Sequence, residues 1–435
     1  MGIKFFLSIL LGKLILFTTN VLNIGGGSAA PGYYALKLYP ELVSKLAKQI
    51  PKAIVITGTN GKTTTSKMLG HFISSQGLKV LRNTTGSNLE RGIASALISN
   101  VNLFNLKLNF DTAIWETDEA AFNSVAPKLS PDIIVFLNVF RDQLDRYGEV
   151  DSIVSKWCET AKKLKKDTKI ILNGDDAGLL SLEACFKGKI QTFGVSRFKI
   201  KGEKNLTTSA KKLDFEAKNI EVYGLEGTKF EVEDKTGKWG VSLSIPGIYH
   251  VYDFMASFAV TQTLKLAPSA IINSFKTFAP AFGRVEKFKL PTGKEAYIFL
   301  IKNPVGATQV FQTIKPELKK EDRLLIALND NFADGTDVSW IWDANFEIFQ
   351  NSSRAESRNY QIFCSGTRAE ELALRLKYSG VNLHSITTKN SIEDALKDSQ
   401  TGLNGRLFIL PTYTALLSLQ KILVNQGIKE RYWKQ

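Results

Sequence analysis

Cysteine is scarce in this chain of 435 residues, and its three copies exclude several classes of site. Cys158, Cys185 and Cys364 lie far apart, and none of them belongs to a C-x-x-C pair. This spacing argues against a cysteine zinc site and against a disulfide framework. We therefore expect three free thiols within protein cores and a protein of a reducing compartment.

The sequence also lacks a nucleic-acid-binding signature and a long uninterrupted hydrophobic run. It contains no helix-turn-helix, zinc-finger or RNA-binding motif, so we expect no nucleic-acid partner. Residues 5–22 are strongly apolar and follow Lys4, as in a signal peptide, but Lys13 interrupts the run and no small-x-small cleavage site follows. We expect instead a helical segment within residues 1–50 that lies on a membrane face or packs on the next domain.

Positive charge is in excess, and the formal net charge of the chain is +14. Such an excess favours anionic partners such as nucleotides, pyrophosphate lipids or a membrane surface, although lysine-rich solvated faces are its commoner cause. The hydrophobic content of 44% and the charged content of 23% are those of an ordinary globular protein. The length suffices for two or three domains, each with its own core.

Apolar strands alternate with helical patterns along the chain, which predicts parallel α/β sheets. In the first half we expect strands and helices at residues 53–57, 63–76, 111–116, 133–138, 152–164 and 169–173. Short, charged, alternating segments at about residues 195–244 predict a small β-rich insertion. A second α/β unit begins at about residue 282, with elements at residues 296–301, 323–328, 361–364 and 369–378.

The most informative stretch is residues 54–65, with the sequence IVITGTNGKTTT. A β-branched apolar run ends in a glycine turn that carries Lys62, and a threonine-rich helix start follows. Backbone N–H groups from Gly58 to Gly61 can wrap a triphosphate, Lys62 can reach the outer phosphates, and Thr63 can bind Mg²⁺. The strict pattern G-x-x-x-x-G-K-[ST] is not met because its first glycine is missing, and a plain glycine turn is the alternative.

We therefore predict that this loop is accessible to solvent and binds ATP and Mg²⁺. The predicted nucleotide-binding residues here are Gly58, Thr59, Asn60, Gly61, Lys62, Thr63 and Thr64. An ATP-binding enzyme with free thiols belongs in the cytoplasm.

Polar motifs follow three of the predicted strands, where open α/β sheets place ligands. Glu116 ends the strand TAIWE and can hold Mg²⁺ on ATP phosphates directly or through water, although alone it would be a surface carboxylate. The run NVFRDQLDRYGE at residues 138–149 fits a solvated helix start as well as a site, and its charged residues include Arg141, Asp142, Asp145 and Arg146. The motif NGDD at residues 173–176 fits a turn with a helix N-cap.

Together these motifs resemble the Mur ligase superfamily and, more closely, the MurT family within it. The matching motifs are GGGS and AAPG near the start, TGTNGKTTT, NTTGSN at residues 83–88, FRDQLDRYGE, FGRVEKF at 282–288, KNPVGA at 302–307, DNFADGTDVSWIWD at 330–343 and GTRAEELALRLKYSGV at 366–381. TGTNGKT indicates only the superfamily. The stretches ADGTDVSWIWD and GTRAEELALRLKY are more specific, because generic Mur ligases lack both.

The resemblance spans almost the whole chain and implies both its fold and its activity. It implies an α/β fold, with a Mur-ligase-type ATP-binding middle domain at residues 51–281 and a Rossmann-like carboxyl-terminal domain at 282–435. MurT proteins are subunits of lipid II isoglutaminyl synthase, and their partner is the glutaminase GatD. ATP would phosphorylate the α-carboxyl of D-glutamate in the lipid II stem peptide, and ammonia from the partner would give D-isoglutamine during peptidoglycan synthesis. The expected location is the cytoplasm, at the inner face of the membrane.

The resemblance also implies roles for single residues. Glu116 would support the metal, and Arg284 of the FGR motif would contact the nucleotide near the domain junction. Asp337 would reach across the subunit interface and complete a Cys-His-Asp triad whose Cys and His belong to the glutaminase. This would explain why no Cys/His pair stands out in the chain. A turn carboxylate is the alternative for Asp337, and Asp334 and Asp343 compete with it for the role.

Two features depart from the family pattern. MurT proteins usually carry a four-cysteine zinc ribbon in the middle domain, but residues 195–244 contain no cysteine, so we predict no zinc site. The family's helix-start motif is approximately G-x-Y-N-x-Y-N-A, and the chain has GIYHVYDF, with His250 and Asp253 at the two asparagine positions. Asp253 is predicted to lie at the nucleotide, where its charge replaces an amide, so either nucleotide binding differs or the site compensates.

Two other functions remain open. The chain is alternatively an ATP-dependent amino-acid ligase of the Mur or folylpolyglutamate type, or a non-catalytic scaffold that kept the fold and binds a partner.

Overall fold

The computed structural model of the chain describes residues 2–21, 29–83, 87–140, 150–195, 212–278, 284–350 and 360–429. Two parallel-rich β-sheets, each covered by helices on both faces, account for most of this structure. The predicted α/β fold class is therefore confirmed.

Three helices precede the first sheet: α1 Ile3–Val21, α2 Ala30–Leu38 and α3 Leu42–Ala47. Pro31 stands in the first turn of α2, where its missing N–H has no intrahelical partner to lose. Phe5 and Ile9 of α1 are buried in the core that α1 to α3 share with the sheet. No helix among the described residues combines the length and the apolarity that crossing a membrane requires.

The larger sheet contains nine strands among the described residues, in the order β2-β3-β1-β4-β5-β6-β7-β8-β9. The strands are β1 Lys52–Thr57, β2 Val80–Arg82, β3 Thr112–Glu116, β4 Ile133–Phe136, β5 Lys169–Asn173, β6 Ile190–Val195, β7 Phe215–Val222, β8 Thr228–Asp234 and β9 Gly237–Leu243. In this order, the first seven strands, from β2 through β1 to β7, pair in parallel. Strands β8 and β9 are antiparallel to their neighbours.

Both faces of this sheet are buried because its central strands are apolar at successive positions. In β1, Val55 faces the core under α1 to α3, while Ile54 and Ile56 face the core on the other side. The covering helices are α4 Lys62–Ser74, α5 Glu90–Asn100, α6 Phe122–Leu129, α7 Val150–Ala161, α8 Ala177–Leu180, α9 Ile248–Thr263 and α10 Pro268–Ser274.

The region predicted as a small β-rich insertion, residues 195–244, contains strands β7, β8 and β9 in its described part. These strands continue the main sheet, because β7 pairs in parallel with β6. Phe215, Phe230 and Val241 face the same core as α9, so apolar packing attaches this edge to the domain.

The second sheet contains six strands among the described residues, in the order β10-β11-β15-β12-β13-β14. They are β10 Arg284–Lys289, β11 Glu295–Phe299, β12 Arg323–Ala327, β13 Gln361–Ser365, β14 Ile386–Lys389 and β15 Leu407–Pro411. Only β10 runs antiparallel to its neighbour within this described sheet.

The helices on this sheet are α11 Pro304–Ile314, α12 Ala369–Tyr378, α13 Ile392–Gln400 and α14 Tyr413–Asn425. Shorter 3₁₀ helices connect elements of both domains at Ser181–Ala184, Gly224–Glu226, Phe275–Thr277, Lys315–Glu317, Ser339–Trp342, Phe346–Phe349 and Leu383–Ser385. In β12, Leu324 and Ile326 face one core and Leu325 faces the other.

The prediction of three free thiols is wrong for two of them, because Cys158 and Cys185 form a disulfide. Cys158 lies on α7, and Cys185 follows the 3₁₀ helix Ser181–Ala184, which packs against α7. Their Cα atoms are 5.1 Å apart although 27 residues separate them in the sequence. Spacing alone does not reveal a contact of this kind. Cys364 is free and buried, and burial raises the pKa of its thiol to about 12.

Candidate functional site

The loop between β1 and α4 has the backbone shape that a phosphate cradle requires. Gly58 and Gly61 have φ angles of 137° and 87°, which favour glycine. A Cβ atom on Gly58 would lie 2.8 Å from the carbonyl oxygen of Asn138, so the loop approaches its neighbour too closely for a side chain. Helix α4 begins at Lys62, and the positive end of its dipole makes this end attractive to anions.

The segment after β4 holds the phosphate loop in this shape. The backbone N–H of Asn60 donates to Oδ1 of Asn138 at 2.8 Å, and Nδ2 of Asn138 donates to the carbonyl oxygen of Asn60 at 3.1 Å. The N–H of Phe140 donates to Oγ1 of Thr59 at 3.0 Å. Asn138 opens the charged run that we predicted as a candidate site, so part of that run supports the loop directly.

Lys62 is buried beside a carboxylate that we did not assign a role. We expected a solvent-accessible side chain, but Lys62 is only 9% exposed. Its Nζ lies 3.2 Å from Oε2 of Glu119, and it also donates to the carbonyl oxygens of Gly58 and Thr59. The sequence signal for this pair was available, because Glu119 follows the TAIWE strand by three positions.

Glu116 ends β3 directly opposite the first turn of α4. Its Oε2 accepts a hydrogen bond from Oγ1 of Thr63 at 2.8 Å, and its Oε1 lies 3.7 Å from Nη2 of Arg82. Burial raises the pKa of the Glu116 carboxyl, while the positive charge of Arg82 and the hydrogen bonds from Thr63 and Ser66 act in the opposite direction.

Asn83 fixes the backbone of Glu116 in a reciprocal pair. Its Nδ2 donates to the carbonyl oxygen of Glu116 at 2.9 Å, and its Oδ1 accepts from the N–H of Glu116 at 2.9 Å. The hydroxyl of Thr63 and the carboxylate of Glu116 are the hard oxygen donors that Mg²⁺ prefers. The described residues contain no group of three or more His, Cys, Asp or Glu side chains arranged to hold a metal ion.

Asp253 lies behind the phosphate loop at the start of α9. Its Oδ1 accepts from Oγ1 of Thr65 at 3.1 Å, and its Oδ2 lies 3.1 Å from Nδ1 of His250. A Cβ atom on Gly61 would lie 2.3 Å from Oδ1 of Asp253. His250 and Asp253, the two departures from the family motif, are therefore bonded to each other and buried under the loop. Contact of Asp253 with a nucleotide stays a prediction.

The carboxyl-terminal domain contacts the phosphate loop through the KNP motif. The side-chain amides of Asn60 and Asn303 bond reciprocally at 2.9 and 3.3 Å, and Nζ of Lys302 lies 3.3 Å from the carbonyl oxygen of Thr59. Asn303 is fully buried and also caps α11 by accepting from the N–H of Gly306. We had quoted this motif only for its resemblance, and the structure adds Lys302 and Asn303 to the site.

Several predicted residues fall outside the part of the chain that the structure describes. Arg284 begins β10, but its side chain is outside the described structure. The other predicted positions outside it are Arg141, Asp142, Asp145 and Arg146 of the charged run, with residues 84–86 of the NTTGSN motif. The NGDD motif is described, and Asp176 caps α8 by accepting from the N–H groups of Gly178 and Leu179, as the N-cap interpretation predicts.

The three competing aspartates of the carboxyl-terminal domain differ in environment. Asp334 is buried and binds the N–H and hydroxyl of Thr414 at the start of α14, and burial raises the pKa of its carboxyl against these hydrogen bonds. Asp337 is half-buried, and its Oδ1 accepts from the N–H of Ser339 at 2.8 Å. Asp343 is exposed. Asp334 therefore stabilises the start of α14, whereas Asp337 accepts a hydrogen bond within its own turn and is partly accessible to solvent.

The loop after β12 that carries Asp334 and Asp337 also carries large exposed apolar side chains. Phe332 of this loop is 81% exposed. Trp342 and Tyr378 are exposed and pair with ring centroids 5.9 Å apart, and the guanidinium of Arg375 lies over the Trp342 ring. Arg375 itself is buried, and exposed aromatic side chains such as these are enriched in protein–protein interfaces.

Comparison with known proteins agrees with both halves of the structure. The family model of the Mur ligase middle domain matches residues 56–261, and that of the MurT ligase C-terminal domain matches residues 300–416. The fold is also similar to that of the MurF ligase of Thermotoga maritima in complex with ADP. That similarity has a TM-score of 0.65 at 15% identity and covers 90% of this chain and 85% of that one.

Two relatives extend the similarity over nearly the full length. The MurT subunit of lipid II isoglutaminyl synthase (glutamine-hydrolyzing) from Streptococcus pneumoniae is 29% identical over 98% of this chain and 99% of its own. The subunit of the same name from Staphylococcus aureus is 31% identical over 90% of this chain and 91% of its own. The chain belongs to the MurT family of Mur-ligase-like proteins.

Proposed function

We propose that the chain is the ATP-dependent subunit of a glutamine-hydrolysing lipid II isoglutaminyl synthase. It amidates the α-carboxyl of D-glutamate in the lipid II stem peptide to D-isoglutamine, with ammonia supplied by a GatD-like glutaminase. The observation that carries this proposal is the phosphate loop with Lys62, Thr63 and Glu116, joined to a carboxyl-terminal domain of the MurT type.

The chemistry has two balanced steps. A carboxylate oxygen of the substrate attacks the γ-phosphorus of ATP, which gives an acyl phosphate and ADP. The nitrogen of ammonia then attacks the acyl carbon, and phosphate leaves with the bonding electrons while the nitrogen loses a proton to form the amide. Both steps gather negative charge on phosphoryl oxygens, so they need cationic and metal groups close by.

The residues of the site match these demands. The loop N–H groups and Lys62 would bind the phosphates, and the oxygens of Thr63 and Glu116 would hold the Mg²⁺ that neutralises them. Arg284 and Asp253 are the further residues that we assign to the nucleotide. The Asn60–Asn303 pair supports the closure of the two domains over the site, which would protect an acyl phosphate from water.

The glutaminase half of the reaction requires a partner. We propose that Asp337 completes a Cys-His-Asp triad with a Cys and a His of the GatD-like subunit. The partial exposure of Asp337 and the exposed aromatic side chains Phe332, Trp342 and Tyr378 of the same domain support this assignment. The lipid-linked substrate places the enzyme in the cytoplasm at the inner face of the membrane.

The deciding experiment measures ADP release and the peptide product with lipid II, in the presence and absence of the co-encoded GatD-like protein. We expect turnover with glutamine only in the complex, and turnover with free ammonia in either case. Lipid II that is already amidated is the control and should give none. Turnover that requires an amino acid and ignores the partner would instead indicate an amino-acid ligase, and no turnover in any mixture would indicate a scaffold.

A further inference from the structure

Helix α1 has apolar residues on two opposite faces. On one face, Phe5, Ile9 and Gly12 are buried against the protein. A Cβ atom on Gly12 would lie 2.8 Å from Cδ1 of Ile98, so α1 packs closely on α5. This face anchors the first half of the helix to the ATP-binding domain.

The opposite face is an apolar stripe exposed to solvent. At about 100° per residue, its side chains fall within a sector roughly 100° wide. Ile3 opens the stripe, and its other members are Phe6, Leu7, Leu10, Leu14, Phe17 and Val21. The exposed fractions of these side chains range from 42% for Phe6 to 77% for Ile3, so the stripe presents apolar surface to solvent.

Helices α1 and α2 form a helical hairpin, and α2 adds side chains of the kind found at membrane surfaces. Helix α2 runs antiparallel to α1, since Tyr39 contacts Phe5 while Pro31 lies beside Gly12. It exposes Tyr33 and Tyr34, whose rings combine an apolar body with a polar hydroxyl.

All charged side chains of this hairpin are positive. The first forty residues contain no Asp and no Glu, whereas they contain Lys4, Lys13 and Lys37. Lys4 and Lys37 are exposed, and Lys13 lies at the margin of the stripe, where it donates to the carbonyl oxygen of Ser99. An apolar stripe bordered by lysines and free of carboxylates is complementary to a lipid surface with anionic headgroups.

We propose that the α1 stripe lies flat in the surface of an anionic phospholipid bilayer and docks the enzyme there. Only one face of α1 is available to lipid because the other is built into the protein core, so the helix lies in the plane of the interface. This inference rests on the proposed function for its purpose, which is to hold the site close to a lipid-linked substrate.

Helix α5 connects α1 with the loop that follows β3. The N–H of Gly32 donates to Oγ of Ser95, and Lys13 reaches Ser99, so both hairpin helices are bonded to α5. Helix α5 begins at Glu90, shortly after Asn88, whose carbonyl oxygen accepts from the N–H of Asp118 beyond β3. Helix α5 and the segment before it therefore connect the α1 stripe with the region of Glu116.

The test is vesicle binding by the full-length chain in its complex, with no substrate present. The probes are vesicles of phosphatidylcholine alone and of phosphatidylcholine with phosphatidylglycerol at about 70:30. We expect co-sedimentation with the anionic vesicles, weaker binding to the neutral ones, and partial release when salt rises from about 0.1 to 0.5 M. The double variant Leu14→Glu/Phe17→Glu should lower the partition coefficient at least about tenfold.

A matched control carries the same changes elsewhere. The double variant Val222→Glu/Leu383→Glu replaces two apolar residues outside the hairpin, which are 42% and 57% exposed, and should bind vesicles like the parent. A second measurement covers failure of the stripe variant to fold. Phe17→Trp adds an exposed indole, and we expect brominated anionic vesicles to quench it beyond the parent signal, whereas Leu383→Trp should show no added quenching.

The outcomes separate this inference from the proposed function. Amidation of lipid II in detergent without vesicle binding would overturn the bilayer proposal and leave the function standing. Vesicle binding without amidation would support docking and refute the function. Loss of self-association or of the glutaminase complex in the stripe variant, with vesicle binding unchanged, would show that a protein covers the stripe and would overturn the proposal.

Discussion

The phosphate loop after β1 and the Asp337 loop after β12 differ in how much of a site this chain supplies. Lys62 and Glu116 are both buried, and each has charged partners within the chain. Asp337 is half-buried and accepts a hydrogen bond from the backbone N–H of Ser339, and Phe332 on the same loop is exposed. We therefore expect the phosphate loop to work with groups of this chain, and the Asp337 loop to work with groups of a glutaminase subunit.

The largest expected effect is that of Lys62→Ala, which should remove turnover with either nitrogen source. Loss of a cation at a transferring phosphoryl group costs on the order of 10³–10⁵ in rate. The variant should also lose about 3 kcal/mol of unfolding free energy, because Glu119 becomes a buried carboxylate without its cation. ADP release and urea denaturation measure the two effects.

The matched control for this variant is Lys62→Ala/Glu119→Gln. This double variant should regain stability, because the buried charge of Glu119 is removed. It should not regain activity, because Lys62 is still absent from the phosphates. A folded Lys62→Ala protein with the parent's turnover would refute the phosphate-loop assignment.

The second-largest expected effect distinguishes the Asp337 loop from the phosphate loop. Asp337→Asn should lower glutamine-dependent turnover of the complex by up to about 10⁴-fold, because an amide does not hold the partner imidazole in its working tautomer. Free ammonia should restore amidation, since the loop that carries Lys62 is unchanged. The measurement is product formation with glutamine and with ammonia, side by side.

Asp343→Asn is the control for this prediction, because Asp343 is exposed on the same segment and should tolerate the change. Asp334→Asn should lower stability instead, since Asp334 is buried against the start of α14. If ammonia does not rescue an assembled Asp337→Asn complex, the triad across the interface must be abandoned or assigned to a neighbouring aspartate.

A smaller effect concerns the pH dependence of stability at the buried loop. Burial raises the pKa of Glu116 above its ordinary value of 4.5, so the folded state holds the proton more tightly than the unfolded state. The stabilising contribution is complete below that ordinary value and is lost as pH rises through the folded pKa. The stability of Glu116→Gln relative to the parent should therefore increase as the pH rises above 4.5.

Urea denaturation of the two proteins at a series of pH values from 4.5 upward measures the difference. A constant difference between Glu116→Gln and the parent would mean that the Arg82 and Thr63 contacts fully offset the cost of burial.

The sequence was sufficient for the fold and for the residues that lie close together along the chain. Alternating apolar runs predicted the central strands, and the glycine turn before Lys62 predicted the loop, because both depend on local chemistry. It was insufficient where two distant segments meet. The disulfide between Cys158 and Cys185 and the contact between Asn60 and Asn303 are examples, since neither spacing carries a local signal.

Burial was the second quantity that local patterns missed. Lys62 looked accessible because it belongs to a glycine-rich turn, yet Glu119 and the loop carbonyls enclose it. Asp253 looked like an added charge at a nucleotide, yet it is bonded to Thr65 and to His250, the other departure from the family motif. Two substitutions that appear separately disruptive in the sequence form one bonded pair in the structure.

The smallest expected effect is on stability after chelation, and it tests whether metal belongs to the phosphate loop alone. Residues 195–244 contain no cysteine, and Phe215, Phe230 and Val241 attach the described strands of this region to the core. EDTA should therefore leave the melting temperature unchanged within about 1 °C, while it abolishes ATP turnover until Mg²⁺ is returned. Metal analysis of the purified chain should find no stoichiometric zinc. A tightly held zinc, or a melting temperature that falls with EDTA, would mean that a structural metal supports the domain and that the loss of turnover no longer reports on Thr63 and Glu116.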